Sequence, residues 1–182
     1  MRYRPFQLDP ATPRGPRPLL DWLGPKFGGP ERARAITART TRVAAEAGIE
    51  MRFEDALIAN SFEAHRLVWF AHRAGVGPEV VEALHAAHFT EGRDIGSAEE
   101  LTAIGVAAGL DESAVRDFLG SDEGRDEVHA AIDEAYSLGI TAVPTFVFAG
   151  KYAVSGAQEP ETPLQVLREV QRRESEPAST GG

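Results

Sequence analysis

The spacing of apolar positions changes several times along the chain, and each change marks an element. Tyr3, Phe6 and Leu8 give residues 1–8 the pattern of a short strand, with Pro5 marking an edge or a bulge because it has no ladder donor. From Asp9 to Pro30 the chain is broken by Pro10, Pro13, Gly15, Pro16, Pro18, Gly24, Pro25, Gly28 and Gly29. That stretch predicts a long loop with one helical turn around Leu19–Leu23. Pro30 suits the first residue of a helix, which runs to about Ala47 and stops at Gly48. Ile49–Glu54 is a short alternating strand or an extended link.

A helical block follows. Asn60 and Glu63 form a capping pattern, with Asn60 as the N-cap. Leu67, Phe70, Ala71 and Ala74 then recur at helical spacing. Gly75 and Gly77 stop that helix, and Pro78 starts another that reaches about Thr90. Ser97 with Glu100 caps a third, Asp111 a fourth ending near Leu119, and Ser121 opens the longest. In it Val128, Ala131, Ile132, Ala135 and Tyr136 fit the helical template, and Gly139 closes it.

The period then shortens. Val143-Pro144-Thr145-Phe146-Val147-Phe148 is a continuous apolar run, as for a strand buried on both faces. Ala149-Gly150-Lys151 turns the chain, Tyr152–Ser155 returns, and Thr162-Pro163 with Gln165 caps a last helix with Leu164, Leu167 and Val170 facing inward. Residues 174–182 have the composition of a disordered tail. The predicted architecture is one α/β domain over 1–173 with an all-helical insertion at about 61–138.

Composition narrows the function. The absence of cysteine among 182 residues excludes disulfides, thiolate metal sites and a thiol nucleophile from this chain. Residues 1–49 hold nine Lys/Arg against four Asp/Glu, and residues 50–182 hold ten against 24, so a basic N-terminal part precedes an acidic remainder. The net charge of -9 argues against nucleic-acid binding, and no apolar run is long enough to span a bilayer. Met1-Arg2-Tyr3-Arg4-Pro5-Phe6 lacks the apolar core of a signal peptide, which makes a cytoplasmic address the expectation.

Candidate chemistry centres on Pro144. Proline inside an apolar strand pattern either starts an edge strand or marks a cis bond at a bend. His65, His72, His85, His88 and His129 all fall on predicted helices. His85 and His88 could share one metal ion, yet no third ligand stands at a zinc-like spacing, so no metal site is expected. His65 is read as anchoring a helix by a polar contact. Gly28-Gly29-Pro30 lacks the Lys-Ser/Thr of a phosphate loop. Trp22, Trp69 and Phe70 are read as core or groove lining.

Four stretches and one strand carry a resemblance. They are Arg4-Pro5-Phe6-Gln7-Leu8-Asp9-Pro10, Asn60-Ser61-x-x-Ala64-His65-Arg66-Leu67, Phe89-Thr90-Glu91-Gly92-Arg93-Asp94-Ile95 and Val154-Ser155-Gly156-Ala157-Gln158, around Val143-Pro144-Thr145-Phe146. In this order they resemble the FrnE-type branch of the DsbA-like thioredoxin superfamily, from the first residues to about residue 170. The resemblance implies a thioredoxin-like α/β fold and thiol–disulfide exchange on a protein or small-thiol substrate. It implies that Pro144 is cis and that Val143 offers its backbone to an extended substrate, with Ala142, His65 and Asn60 as further candidates.

The resemblance also implies a strand, a helix and a Cys-x-x-Cys ahead of Met1, that strand lying in the middle of the sheet between the strands at residues 1–8 and 144–148. On that reading the chain is an N-terminally incomplete reading frame, has no catalytic residue of its own, and self-associates through unpaired strands. Two alternatives stand beside it. One is the glutathione-using group of hydroxychromene carboxylate isomerases and kappa-class transferases, for which glutathione would be the cofactor; otherwise no cofactor is expected. The other is a non-catalytic peptide-binding module.

Overall fold

The computed structural model describes residues 2–159 and 161–175. Its packing divides the chain into two compact units, Met1–Ile132 and Asp133–Gly182.

The first unit begins with an irregular segment rather than the predicted strand: residues 2–8 pair with no strand among the described residues. Pro5 supplies no donor, and the segment is held by side chains instead, as set out below. Arg17–Pro18 (β1) pairs antiparallel with Leu57–Ile58 (β2). The Leu19 N–H extends this ladder to the Ala56 carbonyl at 2.9 Å. Neither short strand was foreseen, and Ile49–Glu54 is a link.

Leu19–Phe27 (α1) is longer than the single turn expected, because it runs through Gly24 and Pro25. Pro25 removes one internal donor, but Gly28 in the left-handed region closes the helix by donating to the Gly24 carbonyl. Pro30–Glu46 (α2) packs on α1 through Ala33, Thr37 and Ala44.

Phe62–Ala74 (α3), Gly77–Phe89 (α4), Ala98–Ala107 (α5) and Glu112–Leu119 (α6) enclose one apolar core. Leu67 and Ala71 of α3 meet Val80, Leu84 and Ala87 of α4, Leu101 and Ile104 of α5, and Val115 of α6. The caps of α5 and α6 form, with Ser97 accepting from the Glu100 N–H and Asp111 from the Ala114 N–H, but the return half of a Ser97–Glu100 capping box does not: the Ser97 N–H donates to the Asp94 carbonyl and Arg93 holds the Glu100 carboxylate.

Two helix starts differ from expectation. Ser61, not Asn60, is the N-cap of α3, and Glu63 does not return a bond to it. Glu63 is drawn instead to Arg66 and Arg125, charge-assisted partners that outweigh a neutral cap bond. Arg125–Ser137 (α7) starts four residues later than Ser121. Gly124 has φ +76°, and a Cβ there would lie 2.7 Å from the Trp69 ring, so the chain passes tightly over that indole before the helix begins.

Arg66 is the polar centre of this unit. Its side chain is fully buried. It donates to the carbonyls of Phe118 (3.2 Å), Ser121 (2.8 Å) and Glu123 (2.7 Å) and pairs with the Glu63 carboxylate at 2.5 Å. Phe118 belongs to the last turn of α6, where carbonyls lack helical partners.

In the second unit Thr145–Phe148 (β3) and Tyr152–Ser155 (β4) form an antiparallel hairpin with Phe146 opposite Val154. Glu161–Ser175 (α8) packs against β3. The 143–148 run is not buried on both faces: Val147 is 48% exposed. Leu164 and Leu167 are exposed as well, and only Val170 of the three predicted inward residues is buried. A two-stranded hairpin is too narrow to cover the whole apolar stripe of a 15-residue helix. The predicted tail begins inside α8, at Glu174 and Ser175; its remainder lies outside the described residues.

Removing one member of a buried charge network strands the other members, so Arg66→Ala is expected to cost about 3–5 kcal/mol. Urea unfolding of the variant measures this, and a loss below about 1 kcal/mol would contradict the role given to Arg66.

Candidate functional site

The predicted site residues fall into two groups. Ala142, Val143 and Pro144 belong to the second unit, and Asn60 and His65 to the first.

In the second unit, α7 ends with the Gly139 N–H donating to the Tyr136 carbonyl at 2.9 Å and the Ile140 N–H to Ala135 at 3.1 Å. The loop from Thr141 to Pro144 is exposed throughout, and the Val143–Pro144 peptide bond is cis. Hydrogen bonding within the loop is selective. The Thr145 hydroxyl donates to the Ala142 carbonyl at 2.7 Å, and the Gly156 N–H donates to the Pro144 carbonyl at 2.8 Å. Between these two occupied carbonyls, the N–H and C=O of Val143 have no partner among the described residues. The residue is 49% exposed. One residue thus presents a donor and an acceptor from a loop fixed on both sides, which is the arrangement an extended chain pairs with. Ala142, also a candidate, has its carbonyl already engaged.

In the first unit, Asn60 does more than a cap would. Its carbonyl oxygen accepts from the Phe62 N–H at 3.0 Å and from the Gln7 side-chain amide at 3.2 Å, while its amide donates to the Thr12 carbonyl at 3.0 Å. His65 contacts the Phe6 carbonyl at 3.1 Å through Nε2. A carbonyl only accepts, so Nε2 carries the proton. Burial holds the His65 pKa below its ordinary value, partly opposed by that bond. Together the two residues strap the 6–12 segment onto α3. Gln7 and Thr12 were not singled out from sequence, because partners some fifty residues away leave no local signal.

A groove of about 300 Å³ in the second unit lies between Tyr152 and the α8 residues Gln165, Val166, Glu169, Val170 and Arg173. Hydrogen bonds from Arg172 and Arg173 pull the Glu169 pKa down to about 2, so this carboxylate stays ionised and saturated. Among the described residues that line the groove there is no Ser, Thr, Cys or His. Among the described residues no three His, Asp or Glu side chains gather as metal ligands, and no helix is long and apolar enough to cross a membrane.

A thioredoxin-like α/β fold with a helical insertion, closed by a cis-proline loop and a hairpin, defines the class. The chain belongs to the family described as the DSBA-like thioredoxin domain, whose model matches residues 1–168. A probable DsbA oxidoreductase from Streptomyces coelicolor superposes with a TM-score of 0.88 at 34% identity, over 98% of this chain and 77% of that one. A "putative protein disulfide isomerase" from Nitrosomonas europaea superposes at 0.66 over 91% of this chain and 80% of its own, and at 18% identity it speaks for the fold alone. No curated protein matches the chain. The family is of thiol–disulfide oxidoreductase type, and these 182 residues contain no cysteine.

Asn60→Ala removes the acceptor of two donors and the donor to Thr12, with an expected loss of about 1–3 kcal/mol. Faster proteolytic cleavage within residues 2–16 should accompany it, and protection equal to the parent's would refute the strap. A second expectation follows from His65. The unfolded imidazole takes up a proton near pH 6.5, whereas the buried one stays neutral to lower pH. The unfolded state therefore binds the extra proton first, and stability falls as the pH drops below about 6.5. His65→Gln should flatten that slope in urea midpoints measured from about pH 7 to about pH 5. His88, whose pKa burial and His85 also lower, leaves a residual slope.

Proposed function

We propose that this chain supplies the substrate-presenting part of a DsbA-type, FrnE-like thiol–disulfide oxidoreductase, and that it binds an extended polypeptide along Val143 without performing redox chemistry on its own. The observation that carries this reading is the free N–H and C=O of Val143 between two carbonyls already engaged. A strand-like ligand satisfies both groups at once, as in the addition of a strand to a sheet edge. The family membership supports a cysteine-bearing protein as ligand. The lack of any thiol in these 182 residues supports binding without exchange, since the thiolate is the attacking group in disulfide chemistry. Asn60 and His65 serve this reading indirectly, by fixing the N-terminal segment.

Binding of a fluorescent, unfolded, cysteine-free peptide tests the proposal. Val143→Pro deletes the N–H donor and should weaken binding about tenfold, the equivalent of one hydrogen bond of roughly 1.4 kcal/mol. Unchanged affinity in that variant would remove Val143 from the site. In an insulin-reduction assay the 182-residue chain should show no turnover above buffer. Retention on immobilised glutathione, with no peptide binding, would favour the glutathione-using relatives instead.

A further inference from the structure

Arginines divide sharply along this chain. Beyond residue 50, every described arginine except Arg168 is held in an ion pair. The side chains of Arg32, Arg34, Arg39 and Arg42 of α2 make no hydrogen bond, ion pair or ring contact among the described residues. All four are exposed. The acidic residues of the helix, Glu31 and Glu46, lie at its two ends.

The exposed side of α2 is ordered. Arg32, Ile36, Arg39 and Val43 follow one another at four-, three- and four-residue steps, so they form one stripe along the helix. Ile36 is 40% and Val43 60% exposed. The buried face is carried by Ala33, Thr37 and Ala44, so neither aliphatic is needed to hold α2 on α1. Charge and apolar side chains thus alternate over roughly 16 Å of helix.

We infer that this stripe docks an acidic amphipathic helix of a partner protein, one with carboxylates repeated every seventh residue and aliphatic side chains between them. Each property of the stripe selects that partner. Seven residues separate Arg32 from Arg39, about 10.5 Å of rise, which a facing helix reproduces with two carboxylates at the same interval. Ile36 and Val43 meet the intervening aliphatics, the helix-in-groove mode of recognition. A phosphate backbone has no use for the two aliphatics, and the net charge of -9 opposes it. A bilayer surface is met by helices carrying Trp, Phe or Leu on the apolar face, and α2 has none of them.

The probe is a fluorescein-labelled helical peptide of roughly 20 residues with Glu at every seventh position and Leu between, long enough to be helical in water. At about 20 mM salt, anisotropy should show saturable binding that weakens at least tenfold at about 300 mM, where screening is strong. Arg32→Gln/Arg39→Gln should weaken it at least tenfold, and Ile36→Ser/Val43→Ser about fivefold, with unchanged circular dichroism because all four side chains are exposed. The same peptide with Gln for Glu should not bind. Absence of binding, binding indifferent to the arginine pair, or equal binding of an oligonucleotide or phosphatidylserine vesicles by parent and Ile36→Ser/Val43→Ser protein would overturn the inference. The arginine variant should keep its affinity for the unfolded peptide of the previous test, so the two proposals fail separately.

Discussion

The first unit depends on how a single buried guanidinium is satisfied. Arg66 enters the interior from α3 and meets three carbonyls that close α6 and lead into α7, with Glu63 balancing its charge. Taking such a charge out of water costs several kcal/mol unless its donors are met with good geometry. The consequence is directional. Three helices can adopt one mutual arrangement only, because any other leaves donors or carbonyls buried without partners. Glu63 also binds Arg125 at 2.9 Å, which fixes the first turn of α7 to the start of α3.

Around that centre the apolar core of α3–α6 supplies the stabilising area, and side-chain straps do what a sheet would otherwise do for the N-terminal segment. Asn60 and His65 take over the polar groups of residues 6–12 that have no ladder partner. The same motif residues therefore serve packing at both ends: Arg66 inward, Asn60 and His65 outward to the leading segment.

The second unit works by restraint. Thr145 and Gly156 occupy the carbonyls on either side of Val143, so the loop is held while the Val143 N–H and C=O have no partner among the described residues. On the function proposed above, an extended polypeptide would pair with this edge, while disulfide exchange itself needs an attacking thiolate. These 182 residues hold no thiol to supply it. The unpaired arginines of α2 contrast with this economy elsewhere. Beyond residue 50 every described arginine except Arg168 is paired, and the proposed partner helix rests on the contrast with the open stripe of α2.

The sequence by itself determined the helices of the insertion, the Ser97 and Asp111 caps, the hairpin and the position of the proline loop, because periodicity, caps and turn residues act over a few neighbours. It also determined that no thiol is present. Tertiary structure alone decided that residues 2–8 are not a strand, that Asn60 ties down Gln7 and Thr12 besides accepting from the Phe62 N–H, and that Glu63 serves Arg66. It likewise decided that Val147, Leu164 and Leu167 face outward. Each of these turns on which distant group competes for a donor, or on how wide a surface is available to cover an apolar stripe. Local sequence fixes the hydrogen-bonding capacity of a residue; only packing decides which partner claims it.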